Sequence, residues 1–329
     1  MFRVCKINLM MTNMRRFIRL YGSSLFFLTS AALGLWSSSS ESTRLQPPVR
    51  ELLLNGPIQW IVIAPFFFLV GVELKREFLT GALRPWRNAI SPTLAAVFGV
   101  AFPALWFYSL TAGSPASVGW PIPTATDVTF ALVVFTAFGR VLPRGARVFL
   151  LSFAVIDDLI AVLIITVMFG ASRGVGWAEL LPVVLAFITP MRWPAKIEAK
   201  LSGYLTWFGL PSFVFLICQE GLMPLSAVAG SLVFWGIAAR PFWKWLGVFV
   251  GGLLGRRWAR GDMYLDTRTL LAVSSLGGIG FTVSLLVTQI AFQGEGLETA
   301  AAISATFLAT GVSVLLGAIM LMALPRNRR

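Results

Sequence analysis

The sequence contains no histidine and only two cysteines, Cys5 and Cys218. Without imidazole, proton chemistry near neutrality must rest on other groups. Two isolated cysteines offer neither a disulfide framework nor the spacing of a metal site. Charge is scarce as well: charged residues make up 12% of the 329 positions, against about 25% in an average soluble domain. Hydrophobic residues take 57%. They fall in blocks of about 20, the length a helix needs to cross the hydrocarbon core of a bilayer. One soluble core has no use for so many such blocks. The expected fold class is an all-α polytopic membrane protein.

The net charge of +13 does not indicate a nucleic-acid partner. The basic residues sit in short clusters between apolar blocks, such as Arg15-Arg16, Lys75-Arg76 and Arg256-Arg257. Alternate loops are nearly empty of them, which is the topology signal of a membrane protein. About ten spans can be counted, at roughly 21–37, 57–74, 89–110, 124–138, 147–170, 176–190, 204–222, within 225–255, 268–292 and 298–324. The basic N-terminal tail, 1–20, is expected inside, and 21–324 forms one membrane domain. Inside segments then hold Arg140, Arg144 and Arg147, then Arg192, Lys196 and Lys200, and finally the tail 325–329 with Arg326, Arg328 and Arg329. Every alternation agrees with an even number of spans. No short apolar run with a cleavage site precedes the first span, so no removable signal peptide is expected.

Charge within a span is costly and reads as functional by default. Asp127, Asp157, Asp158 and Arg240 all lie away from loops. Asp157 and Asp158 have about ten apolar residues on either side, and neighbouring helical side chains point about 100° apart. One carboxylate can face an ion cavity while the other faces a partner helix. Carboxylates out of water hold protons more tightly than solvated ones. A coupled pair of this kind can exchange a proton for a cation. A structural ion pair is the bland alternative.

Asp127 follows Pro121 and Pro123 among three threonines, poor material for a continuous apolar helix. A helix broken at membrane depth needs protein or water for its freed backbone. Thr126 or Asp127 can also cap the half-helix that follows. Gly277, Gly278 and Gly280 interrupt span nine in the same way, or form a small-residue packing seam. Spans three to five (89–170) and eight to ten (225–324) are two triplets, each with its interrupted helix in the middle and with opposite orientations. Paired broken segments at corresponding positions of two halves point to a transport site.

Four motifs stand in order along most of the chain: VGVELKRE at 70–77, ATDVTFAL at 125–132, AVIDDL at 154–159 and GGIGFTVS at 277–284. Through them the chain resembles the NhaA family of sodium/proton antiporters. The resemblance implies inverted repeats with two broken helices. It implies that Asp157 and Asp158 bind sodium or lithium and exchange it for protons. Thr126 and Asp127 match the crossing of two unwound helices, where the aspartate offsets positive half-helix ends. Glu73 and Glu77 match glutamates linked to pH response and ion entry on the cytoplasmic side. The expected protein is a transporter, not an enzyme, in a bacterial inner membrane with both termini cytoplasmic. Its partners are sodium, protons and the lipid bilayer, and it needs no cofactor beyond the transported ions.

Two departures from the family stand out. Family members resemble twelve-helix proteins, and here one short span between Gly170 and Pro190 stands in place of three. The polar stretch after span one is also short for a dimer-forming segment, which leaves a homodimer open. Second, Arg240 occupies a position where the resemblance predicts lysine. Arginine cannot give up its proton in a protein. As the counter-ion of Asp157 it would lower the protons moved per cycle or lock the site. Lys244, one turn later, is the weaker candidate for the lysine's role. Two other readings compete with antiport. One is a family relic that inserts but does not transport. The other is an intramembrane aspartyl protease using Asp127 and Asp157, although no Gly-x-Gly-Asp context surrounds either.

Overall fold

The computed structural model describes residues 29–37, 86–139, 142–169, 180–189, 203–218, 222–258, 264–292 and 296–324, with isolated positions at 64–75 and 200–201. A helical segment occupies 29–37. The α-helices from residue 86 onward, among the described residues, are α1 (Trp86–Thr111), α2 (Val128–Phe138), α3 (Arg144–Phe169), α4 (Leu180–Ile188), α5 (Leu210–Cys218), α6 (Leu225–Val228), α7 (Leu232–Ala238), α8 (Arg240–Gly255), α9 (Thr267–Ser274), α10 (Thr282–Phe292) and α11 (Leu297–Met322).

Among the described residues, four helices are long and apolar enough to cross a membrane. They cover Ala89–Thr111, Pro115–Phe138, Arg144–Phe169 and Leu297–Met322. A fifth span is the pair α9 and α10, bent by 44° at its break. The first part of span one and most of span two lie outside the described residues, and so do the flanks of α4. The long interval at 225–255 resolves into α6, α7 and α8. Pro241 lies at the start of α8. It lacks the N–H that a continuous helix would need there.

Side-chain exposure follows the bilayer. Leu308, Val312, Leu315, Ile319 and Met322 of α11 are exposed. Their spacing of three and four residues makes one stripe along the helix. Leu163 and Val167 do the same on α3. An apolar exposed stripe on a helix of this length is the surface that lipid covers. The opposite face of α11 buries Thr306, Ser313 and Gly317.

The tightest seam joins α8 to α1. Gly247, Gly251 and Gly255 lie four residues apart on one face of α8. A Cβ on them would fall 2.2 Å from Phe98 O, 2.2 Å from Leu94 O and 2.4 Å from Ser91 Cα. The contact numbers fall along α1 as they rise along α8, so the two helices are antiparallel. Ser91 Oγ donates to Gly252 O across the seam at 3.2 Å. Small residues let helix backbones approach where lipid offers no hydrophobic drive. α1 packs on α3 as well, so α1 holds both helices that bear the central charges.

Candidate ion-binding site

Two spans lose their helical backbone at the same place. In the first, Ile122–Thr124 form a single 3-10 turn, Ala125 is extended, and Asp127 is extended at the N-cap of α2. In the second, Ser275–Gly278 form a 3-10 turn, Ile279 is extended, and helix resumes at Thr282. The extended pieces cross in contact. Asp127 N donates to Ile279 O at 2.7 Å. Thr126 Oγ1 donates to Gly277 O at 2.8 Å. Gly280 allows this approach, because a Cβ there would lie 2.3 Å from Ala125 O. Gly278 is nearly as confined, against Ser313 Oγ and Pro241 Cα. Each break thus finds its hydrogen-bond partners in the other, as buried backbone requires. Gly280→Ala is expected to force the segments apart and reduce sodium-dependent proton flux in proteoliposomes by at least about tenfold, the equivalent of about 1.4 kcal/mol. Flux equal to wild type would mean that the crossing tolerates a wider separation.

Asp127 serves the N–H side of both breaks. It accepts from Phe130 N at 3.3 Å, from Thr282 Oγ1 at 2.7 Å and from Thr282 N at 3.4 Å. Capping and crossing roles therefore fall on one carboxylate. At the start of the second broken span, Asp266 caps α9 by accepting from Arg268 N and Thr269 N. Partial burial pushes its carboxyl up, but these hydrogen bonds outweigh it and hold the group below the usual carboxylate range.

Asp157 lies in mid-α3, with Thr126 beside its carboxylate. Its partner is Lys244. Lys244 Nζ donates to Asp157 Oδ1 at 3.1 Å and to Oδ2 at 2.8 Å, with both side chains fully buried. The same Nζ donates to Thr124 O, the carbonyl at the edge of the first break. Asp158 points to a less buried direction than Asp157, as their angular separation requires, and its charge also acts on Lys244.

This corrects the assignment of Arg240 as the counter-ion of Asp157. Arg240 is the first residue of α8 and Lys244 the fifth, one turn further along the same face. That turn carries the lysine to the level of Asp157 and leaves Arg240 at the second break. Arg240 donates from Nη1 to Ser284 Oγ and from Nη2 to Thr310 Oγ1, both at 2.9 Å. A lysine is therefore present at the aspartate after all, and the expectation of fewer protons per cycle loses its basis. Asp127 and Asp157 also engage different partners, Thr282 and Lys244, which is not the shared-proton arrangement of a protease dyad. Glu73 and Glu77 lie outside the described residues.

Thr282, Ser284 and Thr310 complete the site. The first two lie inside the GGIGFTVS motif, whereas Thr310 is one of several hydroxyls in the last apolar span. The only available signal for it was its spacing from Thr306 and Ser313.

Two broken spans that cross in contact, with the buried Lys244–Asp157 pair beside the crossing, define an all-helical polytopic membrane transporter. The family model described as Na+/H+ antiporter 1 matches residues 35–193 and 174–321. The chain belongs to this family of transporters. It is 38% identical to the Na(+)/H(+) antiporter NhaA 2 of Clavibacter michiganensis subsp. michiganensis, over 82% of this chain and 79% of that protein. It is 33% identical to the Na(+)/H(+) antiporter NhaA of Pectobacterium atrosepticum, over 94% of this chain and 96% of that protein. It is 32% identical to that of Tropheryma whipplei, over 93% and 94%. The Pectobacterium alignment runs over 384 positions, more than the 329 residues here. That relative therefore has stretches with no counterpart in this chain. The two pieces of the family match overlap at 174–193.

Proposed function

We propose that this protein exchanges cytoplasmic sodium, or lithium, for external protons across a bacterial inner membrane, with both termini cytoplasmic. The observation that carries the reading is the buried Lys244–Asp157 pair beside two crossed, broken spans. A cation arriving at Asp157 and Asp158 competes with the Lys244 ammonium for the same oxygens. Lysine, unlike arginine, can release its proton when its partner is taken. Sodium binding and proton retention are then alternatives at one site, which is the requirement for exchange. Asp127 holds the amide ends of the crossing while the exchange occurs. By the family resemblance, Glu73 and Glu77 serve pH response and ion entry on the cytoplasmic side. The protein is a transporter without enzymatic activity, and the stretches of the Pectobacterium relative with no counterpart here belong to the scaffold, not to the exchange site.

The test is growth of a sodium-sensitive bacterium lacking its own antiporters. The wild-type chain is expected to restore growth in high sodium, and Asp158→Asn, made at equal level, is expected to fail. A well-expressed wild type that gives no rescue would instead favour the relic reading.

A further inference from the structure

Arg240 is fully buried, and among the described residues it makes no salt bridge. A guanidinium there must be held by something else, because an uncompensated buried charge is costly. Its two hydroxyl partners explain how. Ser284 Oγ accepts from Arg240 and donates onward to Ile122 O at 3.1 Å. Thr310 Oγ1 accepts from Arg240 and donates to Gly280 O at 2.8 Å. Ile122 opens the 3-10 turn that precedes the first break, and Gly280 lies within the second. One guanidinium thus reaches a carbonyl at each break through a single hydroxyl. A Cβ on Gly280 would lie 3.2 Å from Nη1, so the side chain lies directly against the crossing. The charged groups acting here are Asp127, which attracts Arg240, and Lys244, which it repels.

We propose that Arg240 is the positioning residue of the crossing, a permanent cation that clamps the carbonyl side of both broken spans while Lys244 alone leaves and rejoins Asp157. Asp127 works on the N–H side of the same crossing, so the two residues have complementary tasks. Lys244 also reaches a break carbonyl, at Thr124, but its amine is shared with the exchanging carboxylate. Had Lys244 been the only cation here, every turnover would release the crossing as well. Arginine suits the second task because it keeps its charge and presents two Nη groups in a rigid plane, one for each hydroxyl.

This inference rests on the antiport reading, and its test separates the two. In proteoliposomes, Arg240→Gln is expected to raise the apparent KM for sodium about tenfold, the effect of losing one charge-assisted hydrogen bond, with Arg240→Lys in between. Ser284→Ala and Thr310→Val are each expected to raise KM in the wild-type background and to add little in the Arg240→Gln background, since the fork they serve is gone. An unchanged KM in Arg240→Gln, or hydroxyl effects that persist undiminished there, overturns the clamp. A packing role alone would lower the amount of folded protein and leave the KM of the remainder unchanged. Should Arg240→Gln not fold, the Ser284→Ala/Thr310→Val cycle decides, because strict additivity means that no shared guanidinium links them. Should the wild type exchange nothing, the antiport reading falls, and the same cycle, read as unfolding temperature in detergent, still tests the clamp.

Discussion

Lys244→Met is expected to abolish sodium–proton exchange and to destabilise the protein by about 3–5 kcal/mol, the usual cost of removing one partner of a buried ion pair. The amine meets both oxygens of Asp157 and the carbonyl of Thr124, with no water-exposed surface on either charged side chain. Solvent cannot take over any of these contacts. Asp157 would be left either as an uncompensated buried charge or as a neutral acid, and the proton that Lys244 gives up when sodium takes its partner would be lost from the cycle. Lys244→Arg separates the two effects. It keeps the charge and most of the stability, but arginine does not release its proton. Detergent unfolding temperature near that of wild type, with exchange lowered by at least about tenfold, is the expected outcome. Full exchange in Lys244→Met would show that Asp157 does not depend on this amine.

A second large effect is expected from the smallest possible change in α8. The Cβ of Gly251→Ala would lie 2.2 Å from Leu94 O, 2.6 Å from Leu94 C and 2.8 Å from Ala95 Cα, all of them backbone atoms. No rotamer change can relieve such a contact. Carbon and carbonyl oxygen approach no closer than about 3.3 Å, so α8 must shift away from α1. Overpacking of this kind costs about 1–3 kcal/mol. The functional loss should be greater than the stability loss, because α1 also packs on α3 and Lys244 must bridge from α8 to Asp157 on α3. The control is Gly311→Ala, in α11, where none of the described residues' atoms beyond its own helix lies within 4 Å of the added carbon. Gly311→Ala should exchange like wild type, whereas Gly251→Ala should show lower unfolding temperature and lower flux. Equal behaviour of the two variants would mean that the seam is not tight.

Much of this arrangement is legible in the sequence because it depends on local chemistry. Pro121 and Pro123 cannot supply the N–H groups of a continuous helix, and Ala125 and Asp127 just beyond them are extended in the structure. The glycines of GGIGFTVS leave a second break in the matching position of the other half. Asp127 is placed to cap whatever helix follows it, and the structure makes it the N-cap of α2. The glycine seam of α8, Gly247, Gly251 and Gly255 at intervals of four, was found only in the structure, since no lipid-facing pattern draws attention to it.

The pairing of cation with carboxylate was not legible. Arg240 and Lys244 share a helical face, and both are long, basic and buried. Which of them reaches Asp157, 87 positions earlier in the chain, depends on how far α8 slides along α1. That register is decided by three glycines meeting the backbone around Ser91, Leu94 and Phe98. A displacement of one turn, about 5.4 Å, exchanges the roles of the two cations. The hydroxyl relays from Arg240 depend on the same register and on the rotation of α11. By itself, the sequence determined that this chain crosses the membrane, where two of its spans break, and that two adjacent aspartates lie in the middle, since hydropathy and backbone donors belong to each residue alone. Only the tertiary structure decided that Lys244 faces Asp157 and Arg240 the crossing, since partners separated by many residues are chosen by the depth and register of helix packing.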